Sequence, residues 1–257
     1  MSADRQVSVL KEQFIPDTIF LFVAKGTIQT YDGNKRSLFK RGDAVIAQKN
    51  RLAKYELSVN RDTFEPIVFC FEEDFLREFK LKHNIQTKGI RIRDSFIILQ
   101  KNKLINSFIT SIKPYHKGIM ELEKEFETVK YEELLLILLK VNPDLTDVLF
   151  DFRKPGKIDL EAFMNKHYAF NVSNERFATL TGRSLSAFKR DFKTIFNDTP
   201  SHWLVIKRLE EAHYLINHLG RKPKDFYLDL GFESLSHFSV AYKNKFGYPP
   251  SRQSDLR

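Results

Sequence analysis

The sequence predicts an α+β protein in two parts: a small β-barrel or sandwich followed by helices, then an all-α domain of two helix-turn-helix units joined by a long helix. Three observations carry this reading. Short β-branched and aromatic runs separated by turn residues occupy positions 18–71. A basic Pro-Gly junction, Arg153-Lys154-Pro155-Gly156-Lys157, follows a helical stretch. The segment Leu185–Ser201, LSAFKRDFKTIFNDTPS, is written again fifty residues later as LSHFSVAYKNKFGYPPS, Leu235–Ser251. The domain bounds that follow are 1–152, a linker at 153–157, and 158–257.

In chain order, the expected strands are Thr18–Ala24, Thr27–Tyr31, Ser37–Phe39, Ala44–Ala47 and Pro66–Phe71. Turn residues separate them at Lys25-Gly26, Asp32-Gly33-Asn34 and Arg41-Gly42-Asp43. Short strands at this spacing fit a closed or sandwiched sheet. The run FLFVAKGTIQTYDGNKRSLFKRGDAVIA resembles half of a cupin barrel, where a Gly-x-Ile strand precedes a Gly-Asp turn. Metal-dependent cupins cluster His with a carboxylate, and none of the seven His falls within 18–71, so no metal and no metal-dependent catalysis is expected. A barrel of this size holds its own side chains or one small ligand. An effector pocket stays open at this point.

Helices follow. Glu72-Glu73-Asp74 opens one that runs to about Lys82, with acids where the helix dipole favours them. Ser95–Ile112 reads as a helix ended by Lys113-Pro114. His116–Val129 and Tyr131–Val141 read as two more, the second apolar around most of its circumference and therefore buried. Ile119, Leu122 and Phe126 line the first, which either pairs two subunits or packs within the chain. Asp144–Asp151 forms a last short helix. The single cysteine, Cys70, lies in the apolar run Ile67–Phe71 as a buried strand residue and has no partner for an internal disulfide.

The second domain opens with a helix at Asp159–Tyr168. The two helix-turn-helix units occupy about 173–196 and 223–246. Their first helices are Glu175–Leu180 and Asp225–Leu230, with turns at Thr181-Gly182 and Gly231-Phe232. Ser184 and Ser234 cap the second helices, whose apolar stripes are Leu185, Phe188, Phe192, Phe196 and Leu235, Phe238, Tyr242, Phe246. Ser186, Lys189, Arg190 and Lys193 share the outer face of the first, a polar and basic stripe suited to a major groove. A connecting helix runs from about Ser201 to Leu219 and stops at Gly220. At about 1.5 Å per residue it spans roughly 25–30 Å, against about 34 Å between successive major grooves on one face of DNA. Arg208 on this helix, with Lys207, Arg221, Lys222 and Lys224, is placed to hold phosphates or to stand as solvated surface.

The run LDLGFESLSHFSVAYKNKFGYPPS, Leu228–Ser251, resembles the signature of the AraC/XylS transcription regulators, and Ile158–Leu219 resembles the first half of their DNA-binding domain. The resemblance covers about the last hundred residues. It implies a bacterial transcription regulator, typically an activator working with RNA polymerase, that sets two recognition helices in successive major grooves of double-stranded DNA. Such regulators often carry a cupin-like sensor and pair through helices beside it. By motif position, base contacts fall on Ser186, Lys189 and Arg190 in the first unit and on Leu235, Ser236, His237 and Val240 in the second, with Lys243 matching Lys193. Two positions depart from the family pattern: Val240 where many members carry Arg, and Tyr227 where a small Ala usually precedes the turn.

Lys and Arg number 42 against 33 Asp and Glu, a net charge of +9 that favours a polyanionic partner. Residues 157–257 hold 16 basic and 11 acidic side chains, and residues 1–156 hold 26 and 22. The case for DNA therefore rests on where the charges sit. No signal-peptide core and no run of about 18 apolar residues occurs, so a cytoplasmic protein away from membranes is expected. No phosphate-binding Gly loop, Cys/His cluster or nucleophile triad context is present, so neither catalysis nor a cofactor is expected. Control by a small-molecule effector and control by a protein partner remain equally open, as does homodimerisation.

Overall fold

Eight consecutive residues, Thr18–Lys25 (β2), organise the N-terminal part of the chain. In the computed structural model, which describes residues 13–57, 64–117, 121–122 and 124–251, the chain separates into two compact units between Arg153 and Lys154. Strand β2 lies between β5 (Ala44–Ala47) and β8 (Glu65–Phe71), and β9 (Phe96–Leu99) extends the sheet beyond β5, all antiparallel. A second sheet places β3 (Thr27–Tyr31) between β4 (Arg36–Lys40) and β7 (Lys54–Leu57). Strands β1 (Phe14–Ile15) and β6 (Arg51–Leu52) form a short pair.

Side chains alternate across β2. Ile19, Leu21 and Val23 join Ile28, Phe39, Val45, Val68 and Cys70 in one core, whereas Phe20 and Phe22 join Ile46, Phe69 and Phe71 in another. Both faces of the central strand are covered, which is why its sequence is a continuous apolar run. Strand β3 has one covered face and alternates accordingly. Its hairpin to β4 turns at Gly33, and the Asp32 carboxylate accepts from the Asn34 and Lys35 amides at 2.9 and 2.8 Å.

Four helices cover the outer face of the first sheet: α1 (Glu73–Lys82), α2 (Lys103–Ile112), α3 (Lys124–Val141) and α4 (Thr146–Leu149). Tyr131 of α3 sits against Phe69 at 4.9 Å, and Phe108 of α2 against the same ring at 5.5 Å. Two expectations are corrected here. The helix expected at 95–112 begins only at Lys103, where Asn102 caps it by accepting from the Leu104 amide. Phe96–Leu99 is instead a strand, because Phe-Ile-Ile-Leu completes the ladder beside β5.

The two helices expected at 116–129 and 131–141 are also not what forms. His116–Lys117 pairs with Glu121–Leu122 as strands β10 and β11. A single α3 then runs unbroken to Val141, since no Gly or Pro interrupts it. Ile119 lies outside the described residues, Leu122 is in a strand, and Phe126 packs on Tyr115 at 4.2 Å. The expected pairing stripe on a 116–129 helix is therefore not assembled.

The C-terminal unit contains α5 (Leu160–His167), α6 (Asn174–Leu180), α7 (Leu185–Phe196), α8 (Pro200–Asn217) and α9 (Leu235–Phe246). Helix α8 serves two cores. Leu204 belongs to one with Leu160, Met164, Phe177, Phe188 and Phe192. Leu209, Ala212, Leu215 and Ile216 belong to the other with Phe226, Phe232, Phe238 and Tyr242. Beyond α8, Gly220 takes a left-handed conformation and the Arg221 amide reaches back to the Leu215 carbonyl.

One element of the second motif differs from expectation. The helix expected at 225–230 is a 3-10 turn, Pro223–Asp225, followed by hydrogen-bonded turns to Gly231. In the first motif the small Ala178 lies buried ahead of the turn; at the same register Leu228 is 56% exposed. Tyr227, four residues before Gly231 as Ala178 is before Gly182, packs half-buried against the second core, and the buried aromatic is Phe226, against Phe238 at 6.0 Å.

Candidate nucleic-acid interface

The two second helices are positioned by the same local chemistry. Ser184 Oγ accepts from the Ala187 amide at 3.2 Å and Ser234 Oγ from the His237 amide at 3.1 Å, so each helix starts where its serine stands. Phe188 and Phe192 anchor α7, and Phe238 and Tyr242 anchor α9, all fully buried. With the inner faces fixed, the rotation of each outer face follows.

On α7, Ser186, Lys189, Arg190 and Lys193 are all exposed. The Arg190 side chain is 76% exposed and meets Asp191 only at 3.5 Å. Asp191 is engaged more closely by Arg183 at 3.1 Å and also lies 3.4 Å from Lys157, and these cations hold its carboxyl below the usual range. Arg190 is thus left largely in solvent. Lys193 donates to the Asn197 carbonyl at 3.4 Å, at the end of the helix.

On α9, Leu235, Ser236, His237, Val240 and Lys243 are exposed as well. The nine residues expected on the two recognition helices therefore stand on solvent-facing surface. The tenth does not. Arg208 is 8% exposed, and its guanidinium donates to the carbonyls of Tyr168, Phe170 and Gly231 at 2.8, 2.7 and 2.9 Å. Burial pulls its pKa down to about 10, with Glu233 opposing the shift, so it stays charged at neutral pH. Arg208 is a tie inside the domain, and its assignment to phosphate is corrected. Lys207 is half-buried, Arg221 donates to the Asp225 carbonyl and lies over the Phe226 ring, and Lys222 and Lys224 are exposed.

Two positioning residues escaped the sequence reading. Arg183 donates to the Ile158 and Thr181 carbonyls at 3.0 and 2.7 Å, stitching the chain that enters the domain onto the turn before α7. His213 shares a 2.9 Å hydrogen bond with the Tyr242 hydroxyl and stacks on Phe246, bracing α9 from behind. Burial lowers the His213 pKa and raises that of Tyr242, so the neutral pair is favoured. Among the described residues no group of three or more His, Cys, Asp or Glu is placed to hold a metal ion, and no helix is long and apolar enough to cross a membrane.

Two capped helices with solvent-facing rows, carried on one shared helix, define a helix-turn-helix protein of the DNA-binding class. Residues 18–148 match the family model for the ExsA N-terminal regulatory domain, and residues 177–254 match a helix-turn-helix domain model. The chain belongs to the AraC-type transcriptional regulators with an ExsA-type N-terminal regulatory domain. Similar proteins include the HTH-type transcriptional regulator ExsA of Pseudomonas aeruginosa, 31% identical over 48% of this chain and 45% of its own length. The virulence regulon transcriptional activator VirF of Yersinia enterocolitica is 32% identical over 48% of this chain and 46% of its own. The chain thus spans just under half the length of these relatives. Among solved structures, fatty-acid-bound ToxT from Vibrio cholerae aligns over 94% of this chain and 88% of its own, with 13% identity and a TM-score of 0.39.

Proposed function

We propose that this protein is a bacterial, cytoplasmic transcriptional activator that sets α7 and α9 into successive major-groove segments of one specific operator. The observation that carries this reading is the pair of outward-facing rows on helices fixed by buried aromatic anchors and serine caps. Ser186, Lys189 and Arg190 contact bases from α7; Leu235, Ser236, His237 and Val240 do so from α9; Lys193 and Lys243 sit toward the backbone. The 18 residues of α8 span about 27 Å, somewhat short of the groove repeat, so the DNA bends to accept both.

Control passes through the N-terminal unit to RNA polymerase engagement, and a protein partner serves as its signal better than a small molecule held inside the barrel. Ile15, Val23, Ile28, Phe39, Val45 and Ala53 are 0% exposed, so this part of the core is filled by its own side chains. Phe126, Val129 and Leu136 form an exposed apolar row along α3 and provide a surface for a partner or a second copy.

Arg190→Ala tests the base-reading role. Affinity for the operator is expected to fall by about 1–3 kcal/mol, with discrimination at one base pair relaxed. His237→Ala should cost less, because an imidazole offers no bidentate fork. Equal loss from Arg190→Ala on operator and random DNA, in quantitative gel-shift titrations, would restrict Arg190 to phosphate. A greater loss from His237→Ala would reverse the ranking of the two helices.

A further inference from the structure

The duplication allows the two recognition helices to be compared position by position. At the shared spacing of fifty, Lys189 corresponds to Ser239 and Arg190 to Val240. The Ser239 hydroxyl is turned back onto its own helix, donating to the Leu235 carbonyl at 2.8 Å. Val240 is 60% exposed and Leu235 is 40% exposed. Single exposed aliphatic side chains are ordinary on protein surfaces. What sets Val240 apart is its place on the reading face, where α7 carries Arg190.

We propose that α9 selects thymine through its C5-methyl group, with Val240 as the contact. The inference rests on the reading above that α9 enters the major groove. There, each A·T pair presents a methyl group that an aliphatic side chain covers without needing a donor, and Val240 has none to offer. Ser236 and His237 on the first turn add short polar contacts, and Lys243 occupies the place that Lys193 has on α7. The two helices therefore read by different chemistry: α7 by long donors to base acceptors, α9 by apolar cover. The operator segment under α9 is expected to be rich in A·T pairs.

The test uses the full chain and an operator recovered by selection from random duplex DNA. Each thymidine is replaced in turn by deoxyuridine, which removes the methyl and leaves the pairing edge intact. At one or two positions affinity should fall about fourfold, the worth of one buried carbon at about 0.8 kcal/mol. In Val240→Ala the penalty at one of these positions should vanish while penalties elsewhere persist. Val240→Arg, a second substitution at a solvent-facing site, should shift that base pair toward guanine. Operator binding by Val240→Ala as tight as that of the parent protein, or every deoxyuridine penalty persisting in it, overturns the proposal. Recovery of no operator at all overturns the sequence-specific reading itself, and is told apart because Arg190→Ala then has no selective effect either.

Discussion

Arg208→Ala is expected to destabilise the DNA-binding unit by about 3–5 kcal/mol, a large part of a typical domain's margin. The guanidinium is the common partner of three backbone carbonyls: Tyr168 and Phe170 after α5, and Gly231 at the turn of the second motif. Hydrogen bonds to a charged donor are worth about 1.5–3 kcal/mol each, and buried acceptors left unpaired add their desolvation cost. The side chain also leaves α8 between Leu204, which serves the first core, and Leu209, which serves the second. Both motifs should therefore loosen together, seen as a lowered thermal midpoint with exchange of amide protons in α7 and α9. Arg208→Lys should recover only part of the loss, because an ammonium cannot present the planar fork that reaches three carbonyls. Unchanged stability with only a reduced salt dependence of DNA binding would return Arg208 to the phosphate role.

Gly182→Ala should cost about 2–4 kcal/mol through two effects that add. The residue has φ +67°, in the left-handed region, and a Cβ there would collide with the Gly156 carbonyl carbon and oxygen. That neighbour is backbone and cannot swing aside. The entering chain at Gly156–Ile158 is stitched to the same turn by Arg183 and by the Ile158 amide to the Thr181 carbonyl, so the substitution peels it away from the first motif. Gly220→Ala is the control. It has φ +62° with open space around its Cβ position, and should show only the conformational penalty of about 1–2 kcal/mol. Equal effects at both positions, measured by denaturant unfolding, would mean that the entering chain does not pack on the turn.

Much of this architecture is legible because its signals are local. Strands β3 and β5 have the expected bounds, since turn residues end them on both sides. The recognition helices begin at the residues after Ser184 and Ser234 because side-chain capping is decided within four residues. Strand β9 was not legible. Phe96–Leu99 is a short apolar run separated from α2 by Gln100-Lys101-Asn102 with no Gly or Pro to mark a break, and the neighbouring β5 makes it a strand. The irregular segment ahead of Gly231 was not legible either, because Asp225–Leu230 carries no Gly or Pro to mark it as other than a helix.

Arg208 shows the opposite case, where a signal existed and pointed the other way. Leu204, Arg208, Ala212 and Leu215 fall on one helical stripe, and all four are buried. An arginine inside an apolar stripe marks an inward-facing position. Basic residues near a presumed DNA-binding surface suggest phosphate contact by composition alone, but the helical period decides which way each one faces. For Ser186, Lys189, Arg190 and Lys193 on α7 and Ser236, His237 and Lys243 on α9, composition and exposure agree; Leu235 and Val240 are apolar yet exposed.

The most direct test of the account titrates the full chain against a library of genomic fragments at two salt concentrations, with Arg190→Ala alongside. A small set of fragments is expected to bind at least about a thousandfold more tightly than bulk DNA, with part of that preference lost in the variant. Uniform binding to every fragment, weakening steeply and equally with salt, would contradict it, because the exposed rows of α7 and α9 would then supply electrostatic attachment without reading sequence.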